Sequence, residues 1–132
     1  MIVIDASVLI DALTADGPQG QAARKAANAD MDWAAPAHLI TEVSSGIRGR
    51  LLGSKISRSR AEEAIRVLAE LEIDLADVRT LLPRVWELRG DLTTYDAAYV
   101  ALAEMYDCPL ITQDVRLSSA PGIRCETQVV GG

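Results

Sequence analysis

Met1-Ile2-Val3-Ile4-Asp5-Ala6-Ser7 opens the chain, and its reading decides the fold. Four apolar residues without alternation describe a strand buried on both faces, as the inner strands of parallel sheets are. The run stops at an acid and gives way to helical character over residues 7–13. Pro109-Leu110-Ile111-Thr112 repeats the buried pattern, and Gln113-Asp114 follows it. Residues 33–35 and 72–75 read as weaker strands, and 123–129 as a last one. Between the strands lie helices over 7–13 and 19–29, with Gly17-Pro18 as the break between them. Pro36 is placed to open a helix running to Leu52. Residues 57–71 are the clearest amphipathic helix, with Ala61, Ala64, Ile65, Leu68 and Leu71 at spacings of three and four. A helix over 78–88 is kinked at Pro83 or begins there, and 94–106 form a strong helix. Short apolar strands alternating with helices specify an α/β fold whose parallel sheet is covered on both faces.

The chain has 132 residues, the size of one domain, and shows no repeat, linker or low-complexity tract. We assign a single domain to residues 1–130, with Gly131-Gly132 as a cloning remnant or frayed end. Apolar residues at 49% and charged residues at 24% give the balance of a folded globular protein. Thirteen bases against nineteen acids leave a net charge of −6, so attraction to nucleic acid or anionic lipid is excluded as a whole-molecule property. The aromatic residues are Trp33, Trp86, Tyr95, Tyr99 and Tyr106, too few for an RNA-binding sheet built from exposed stacking rings. The longest apolar run, residues 97–103, is far below a membrane span, and no secretory signal precedes Asp5. The expectation is a cytoplasmic protein with no membrane contact, whose Cys108 and Cys125 are reduced, buried thiols. One His and two Cys do not make a conventional zinc site.

Four acids stand out by position. Asp5 ends the first strand, Glu42 lies in the apolar stretch Leu39-Ile40-Thr41-Glu42-Val43, Asp96 sits in the first turn of its helix, and Asp114 follows the buried strand. Ligands of open parallel sheets bind beyond the carboxyl ends of the strands, where Asp5 and Asp114 lie and where the Asp96 helix can point. Each acid also has an ordinary structural reading. Asp5 caps the following helix, Asp96 completes a capping box with Thr93, Asp114 is a turn residue, and Glu42 faces solvent beside His38, Ser45 and Gly46. Gathered at one sheet edge, they mean more than they do singly. Two carboxylates about 5 Å apart repel by roughly 3 kcal/mol at an effective dielectric near 20. Four therefore require protonation or a divalent cation. Oxygen ligands without His or Cys suit Mg²⁺ or Mn²⁺, whose bound water supplies a hydroxide for attack on a phosphodiester. Ser7 and Thr112 are placed to hydrogen-bond such a site, or simply to cap their own helix and turn.

These residues carry a family likeness. Val3-Ile4-Asp5-Ala6-Ser7, Glu42-Val43-Ser44-Ser45, Thr94-Tyr95-Asp96-Ala97-Ala98-Tyr99 and Thr112-Gln113-Asp114-Val115-Arg116-Leu117 together resemble the PIN-domain ribonucleases, in particular the VapC toxins of bacterial VapBC toxin–antitoxin pairs. The resemblance spans about the whole chain and is most specific at Thr94-Tyr95-Asp96. It implies a three-layer α/β/α domain with a mostly parallel five-stranded sheet. It also implies an Mg²⁺- or Mn²⁺-dependent endoribonuclease, with Asp5, Glu42, Asp96 and Asp114 as catalytic metal ligands and Ser7 and Thr112 in support. Homodimerisation and inhibition by a VapB-type antitoxin are implied as well. A free-standing PIN nuclease of RNA processing would share the chemistry and lack the antitoxin.

Other classes fit less well. A phospho-acceptor receiver domain wants a Lys after a late strand, and the only lysines are Lys25 and Lys55. A haloacid-dehalogenase-type phosphatase wants Asp where Ser7 stands. A catalytically dead binding module would not keep all four acids. One segment stays open: Arg48, Arg50, Lys55, Arg58 and Arg60 fall between Glu42 and Glu62 with no acid among them. That run is a solvated tip, an RNA-backbone contact, or a docking surface for an acidic partner. Gly46, Gly49 and Gly53 cost it about 1 kcal/mol each as helix interior, which marks a mobile or closely packed element.

Overall fold

Ile2, Val3 and Ile4, β-branched and fully enclosed, form the middle strand of a five-stranded sheet. The computed structural model describes residues 1–131. Its elements run β1 (Ile2–Ile4), α1 (Ala6–Thr14), α2 (Gly17–Asn28), β2 (Trp33–Pro36), α3 (Leu39–Leu52), α4 (Arg58–Glu70) and β3 (Asp74–Ala76). A 3-10 turn (Val78–Leu81), α5 (Leu82–Glu87), α6 (Thr94–Tyr106), β4 (Leu110–Thr112), α7 (Val115–Ser118) and β5 (Thr127–Val129) follow. The strand order is β3-β2-β1-β4-β5 and every pairing is parallel. From β1 the chain builds β2 and β3 on one side, then crosses to build β4 and β5 on the other. The gap between the carboxyl ends of β1 and β4 is therefore the topological switch point, where such sheets bind ligands.

Helices cover both faces, giving the three-layer α/β/α arrangement. Helix α6 packs across β1, β2 and β4 with α5 and the 3-10 turn beside it, while α1 to α4 pack on one another. Every residue from 97 to 103 is buried, so α6 is apolar all round, and its alanines allow close approach to its neighbours. At Gly46 a Cβ would lie 2.3 Å from Cδ1 of Ile10, so α3 reaches α1 through that glycine. The glycines of the basic segment thus mark close packing at Gly46. At Gly49 there is open space instead.

Several sequence expectations need correcting. Pro36 does not open a helix; it ends β2 opposite Ala76, where its missing N–H leaves no ladder donor wanting, and Ala37 donates to Ala76 instead. Gly17-Pro18 is the first turn of α2 rather than a gap before it. Pro83 starts α5 after the 3-10 turn, the second of its two readings. The final strand is confined to Thr127–Val129, and α7 was not expected at all. Ile65 lies off the buried face of α4, which consists of Ala61, Ala64 and Leu68. Cys108 and Cys125 are free thiols as expected, but only half-buried. Among the described residues no helix is long and apolar enough to cross a membrane. Of the terminal pair, Gly131 continues the chain at φ +73°, and Gly132 lies outside the described residues.

Candidate active site at the switch point

Asp5 occupies the N-cap position of α1, yet its side chain makes no capping bond. Its Oδ2 instead accepts from Thr112 Oγ1 at 2.7 Å and from Ser7 Oγ at 3.1 Å. Thr112 Oγ1 in turn accepts from the Asp114 backbone N–H at 3.0 Å, and Ser7 Oγ from the Gln113 N–H at 3.3 Å. The Asp5 N–H donates to Ile111 O at 2.9 Å. The ends of β1 and β4 are therefore laced together around a carboxylate that is only 7% exposed. Ser7 and Thr112, the two hydroxyls singled out in the sequence, both donate to the same oxygen of Asp5.

The other three acids arrive from separate elements. Glu42, on α3, accepts at Oε1 from the buried Tyr99 hydroxyl of α6 at 2.7 Å. His38 Nε2 stands 3.2 Å from the same oxygen without hydrogen-bond alignment. Asp96 lies in the first turn of α6, and its backbone N–H donates to the capping Thr93 hydroxyl at 3.1 Å. Asp114 caps α7, accepting at Oδ1 from Arg116 N at 2.9 Å and Leu117 N at 3.4 Å. The capping-box reading of Asp96 with Thr93 holds in part, and Asp114, read as a turn residue, is the cap of α7. Asp5, Glu42 and Asp114 share a pattern: one oxygen is anchored, and the other has no hydrogen-bond partner among the described residues.

The four acids sit in one electrostatic field. Burial pushes the Glu42 carboxyl above its ordinary range, and the charges of Asp5 and Asp96 push the same way, against the Tyr99 hydrogen bond and His38. Burial also raises Asp96, helped by Asp5 and Asp114 and opposed by Thr93 and Arg116. The Tyr99 hydroxyl is driven upward by burial and by the carboxylate it serves, so it stays a donor. The donor chemistry fits a hard divalent cation. No three metal-binding side chains among the described residues converge closely enough to hold one ion. The acids share a field without closing into a preformed cage.

The basic segment does not form one patch. Arg50 reaches inward to Asp11 and also donates to Thr14 Oγ1 at 2.8 Å. Arg60 pairs with Asp16 at 3.0 Å and Arg58 with Glu62 at 2.9 Å. Arg48 and Lys55 have no acidic partner among the described residues. Asp11 itself escaped the sequence reading. It is fully buried and accepts from Gln19 Nε2 at 2.6 Å, from Gln113 Nε2 and from Arg50. Burial pushes its carboxyl up, but Gln113, Arg50 and Gln19 together outweigh burial and hold it below the usual range. The signal was present: an acid between Ile10 and Ala12 in an apolar helix, the same pattern that drew attention to Glu42.

The fold and the acidic edge together define a class. The chain belongs to the PIN domain family, whose sequence pattern matches residues 2–123. Within it, the chain is 36% identical to ribonuclease VapC9 of Mycobacterium tuberculosis, over 98% of both chains. It is 38% identical to ribonuclease VapC1 of the same organism, over 97% of this chain and 96% of that one. The fold is similar to that of Mycobacterium tuberculosis VapC20, described as a sarcin-ricin loop cleaving toxin, with a TM-score of 0.69 at 16% identity, covering 94% and 97% of the two chains. It is also similar to a chain of VapBC2 from Rickettsia felis bound to a promoter DNA fragment, with a TM-score of 0.69 at 12% identity, covering 98% and 99%.

Proposed function

We propose that this chain is an endoribonuclease, the toxin of a VapBC-type pair, and that it hydrolyses RNA phosphodiester bonds with Mg²⁺ or Mn²⁺. The observation that carries the reading is the half-anchored carboxylate set. Asp5, Glu42 and Asp114 each tie down one oxygen and leave the other for a ligand, and Asp96 completes the field. These four residues would hold the ion. When bound, it would supply positive charge beside the scissile phosphate and a water acidic enough to act as nucleophile near neutral pH.

The protein's own part is preorganisation. Thr112 and Ser7 fix one oxygen of Asp5, and Tyr99 fixes one of Glu42, so the acids would close on an ion from orientations these bonds already set. Burial and the neighbouring acids raise the Glu42 and Asp96 carboxyls more than His38 and Arg116 lower them, the kind of site an external cation would stabilise. The likeness to named VapC ribonucleases supports RNA as substrate, the likeness to the VapBC2 chain supports a VapB-type antitoxin as partner, and pairing of two copies is proposed with them. Purified protein incubated with end-labelled RNA tests the reading. Cleavage is expected with Mg²⁺ or Mn²⁺ and is expected to disappear in excess chelator. Full cleavage by metal-free protein would remove the ion from the mechanism, and no cleavage under any metal would remove the nuclease. Sedimentation of the chain with and without a co-expressed small partner tests the assembly.

A further inference from the structure

A cavity of about 600 Å³ opens beside Glu42, lined by His38, Thr41, Glu42, Ser45 and Tyr95. Tyr95 immediately precedes Asp96 and is 61% exposed. The ring is braced rather than loose. Its centroid lies 5.3 Å from that of His38 at an interplanar angle of 84°, and His38 lies 5.4 Å from the buried Tyr99 ring at 89°. A ring held this way loses little freedom when something stacks on it.

The polar groups of the cavity are equally uncommitted. Ser44 returns its hydroxyl to Ile40 O at 2.8 Å, the ordinary local bond of a helical Ser. The side-chain hydroxyls of Thr41 and Ser45, one turn apart on α3, have no hydrogen-bond partner among the described residues, and neither does His38 Nε2. No Lys or Arg lines the cavity, and Glu42 forms one wall. A phosphate would meet only negative charge there. A flat, uncharged ring with hydrogen-bonding edges meets a stacking face and two hydroxyls that can donate or accept.

We propose that this cavity is a nucleobase subsite, in which a base flanking the scissile phosphate stacks on Tyr95 and meets the Thr41 and Ser45 hydroxyls at its edge. The inference rests on the nuclease reading and adds the place where one base of the substrate is held. The sequence argued against a sheet of stacking rings, and this is a different device: one ring at the start of a helix, beside the acids.

The test is a cycle of protein and substrate changes. Single-stranded RNA oligonucleotides are prepared with an abasic nucleotide at each position flanking the cleavage site in turn. With the unaltered protein, one position should lower kcat/KM on the order of tenfold or more, the scale of one base–aromatic stack. With Tyr95→Ala the intact substrate should fall by a similar factor, and the abasic substitution at that position should then cost little further. Tyr95→Trp should restore the sensitivity, and Trp86→Ala, an exposed ring on α5 outside the cavity, should change nothing. Additive losses for Tyr95→Ala and every abasic position would overturn the subsite, and so would an unchanged kcat/KM. Unchanged cleavage together with weaker inhibition by a VapB-type antitoxin would give the cavity to that protein instead. A chain that cleaves no RNA at all removes the nuclease reading, and the subsite falls with it.

Discussion

Asp11 and Glu42 begin alike and end differently. Each is an acid inside an otherwise apolar stretch; the fold buries Asp11 fully and Glu42 in part. Around Asp11 the chain supplies Arg50, Gln19 and Gln113, and the carboxyl sits below its ordinary range. Around Glu42 it supplies one hydroxyl, the His38 imidazole and two further acids, and burial holds the carboxyl above it. Enclosing a charge costs several kcal/mol unless partners offset it. A protein that offsets one acid fully and leaves a neighbouring group uncompensated has put the second where an external cation can complete it. Asp11 holds the scaffold, and the four-acid edge is where the cation proposed above would bind.

The sharpest way to break the comparison is to neutralise acids on the uncompensated side. Asp5→Asn and Asp96→Asn should each lower kcat on the order of 10²–10³-fold, the scale at which one preorganised electrostatic group acts. Metal-free thermal unfolding should stay level or rise, because one source of repulsion is gone. RNA cleavage and a melting curve on the same preparation check both halves. Unchanged cleavage by either variant would count against the ligand assignment.

On the compensated side the signs reverse. Arg50→Ala leaves the Asp11 carboxylate buried without its cation and should cost about 3 kcal/mol of stability. For a domain of this size that is a fall in Tm of roughly 10 °C. The loss should appear with or without metal. Because Asp11 also holds Gln113, between Thr112 and Asp114, a smaller loss of kcat should accompany it. A variant as stable as the parent would show that Asp11 finds solvent when Arg50 is gone.

Much of this was legible in the sequence, and the limits are physical. Buried strands at residues 2–4 and 110–112 announced themselves, because apolar runs ended by acids have few other uses in a parallel sheet. Weaker strands at 33–36 and 74–76 were placed only to within a residue or two. There the pairing Pro36↔Ala76, a tertiary fact, decided where strand gave way to helix. Asp5, Glu42, Asp96 and Asp114 were legible because they recur at one sheet edge. Asp11 was not, because what sets it apart is the convergence of Gln19, Arg50 and Gln113 from three other elements. Tyr99 was likewise read as part of a strong helix, although its hydroxyl reaches Glu42 across 57 positions of sequence.

The pH dependence of metal-free stability should separate the two regions. Glu42 and Asp96 titrate above their unfolded values. Their contribution is therefore fully present below the unfolded carboxylate range and is lost as pH rises through the raised values. Asp11 is lowered, so its contribution is present above the unfolded range and is lost as pH falls through its folded value. The Tm advantage of Asp96→Asn over the parent should thus be largest at neutral pH and shrink on acidification. The deficit of Arg50→Ala should hold steady over that span and narrow only at lower pH. Melting curves from pH 7 downward in chelator test both trends, and parallel curves for all three proteins would contradict them.

The smallest expected effect concerns the bases that neither region uses. Of the five in the segment from Arg48 to Arg60, Arg50 belongs to the Asp11 cluster, and Arg58 and Arg60 have acidic neighbours. Arg48 and Lys55 alone are left to meet a polyanion. If they steer RNA toward the acids, they do so by releasing counterions from its backbone, and each lost charge should flatten the salt dependence. For single strands the slope of log affinity against log salt changes by about 0.7 per phosphate contact. The double variant Arg48→Gln, Lys55→Gln should therefore raise KM a few-fold at low salt and little at high salt. Its kcat should be unchanged, because such contacts bind ground state and transition state alike. If the pair docks a partner instead, KM should not move, and inhibition by a co-purified antitoxin should weaken. Kinetics across a salt series, with and without that partner, separate the two. If neither quantity moves, the segment is a solvated tip whose one fixed point is Arg50, held by an acid that the sequence did not single out.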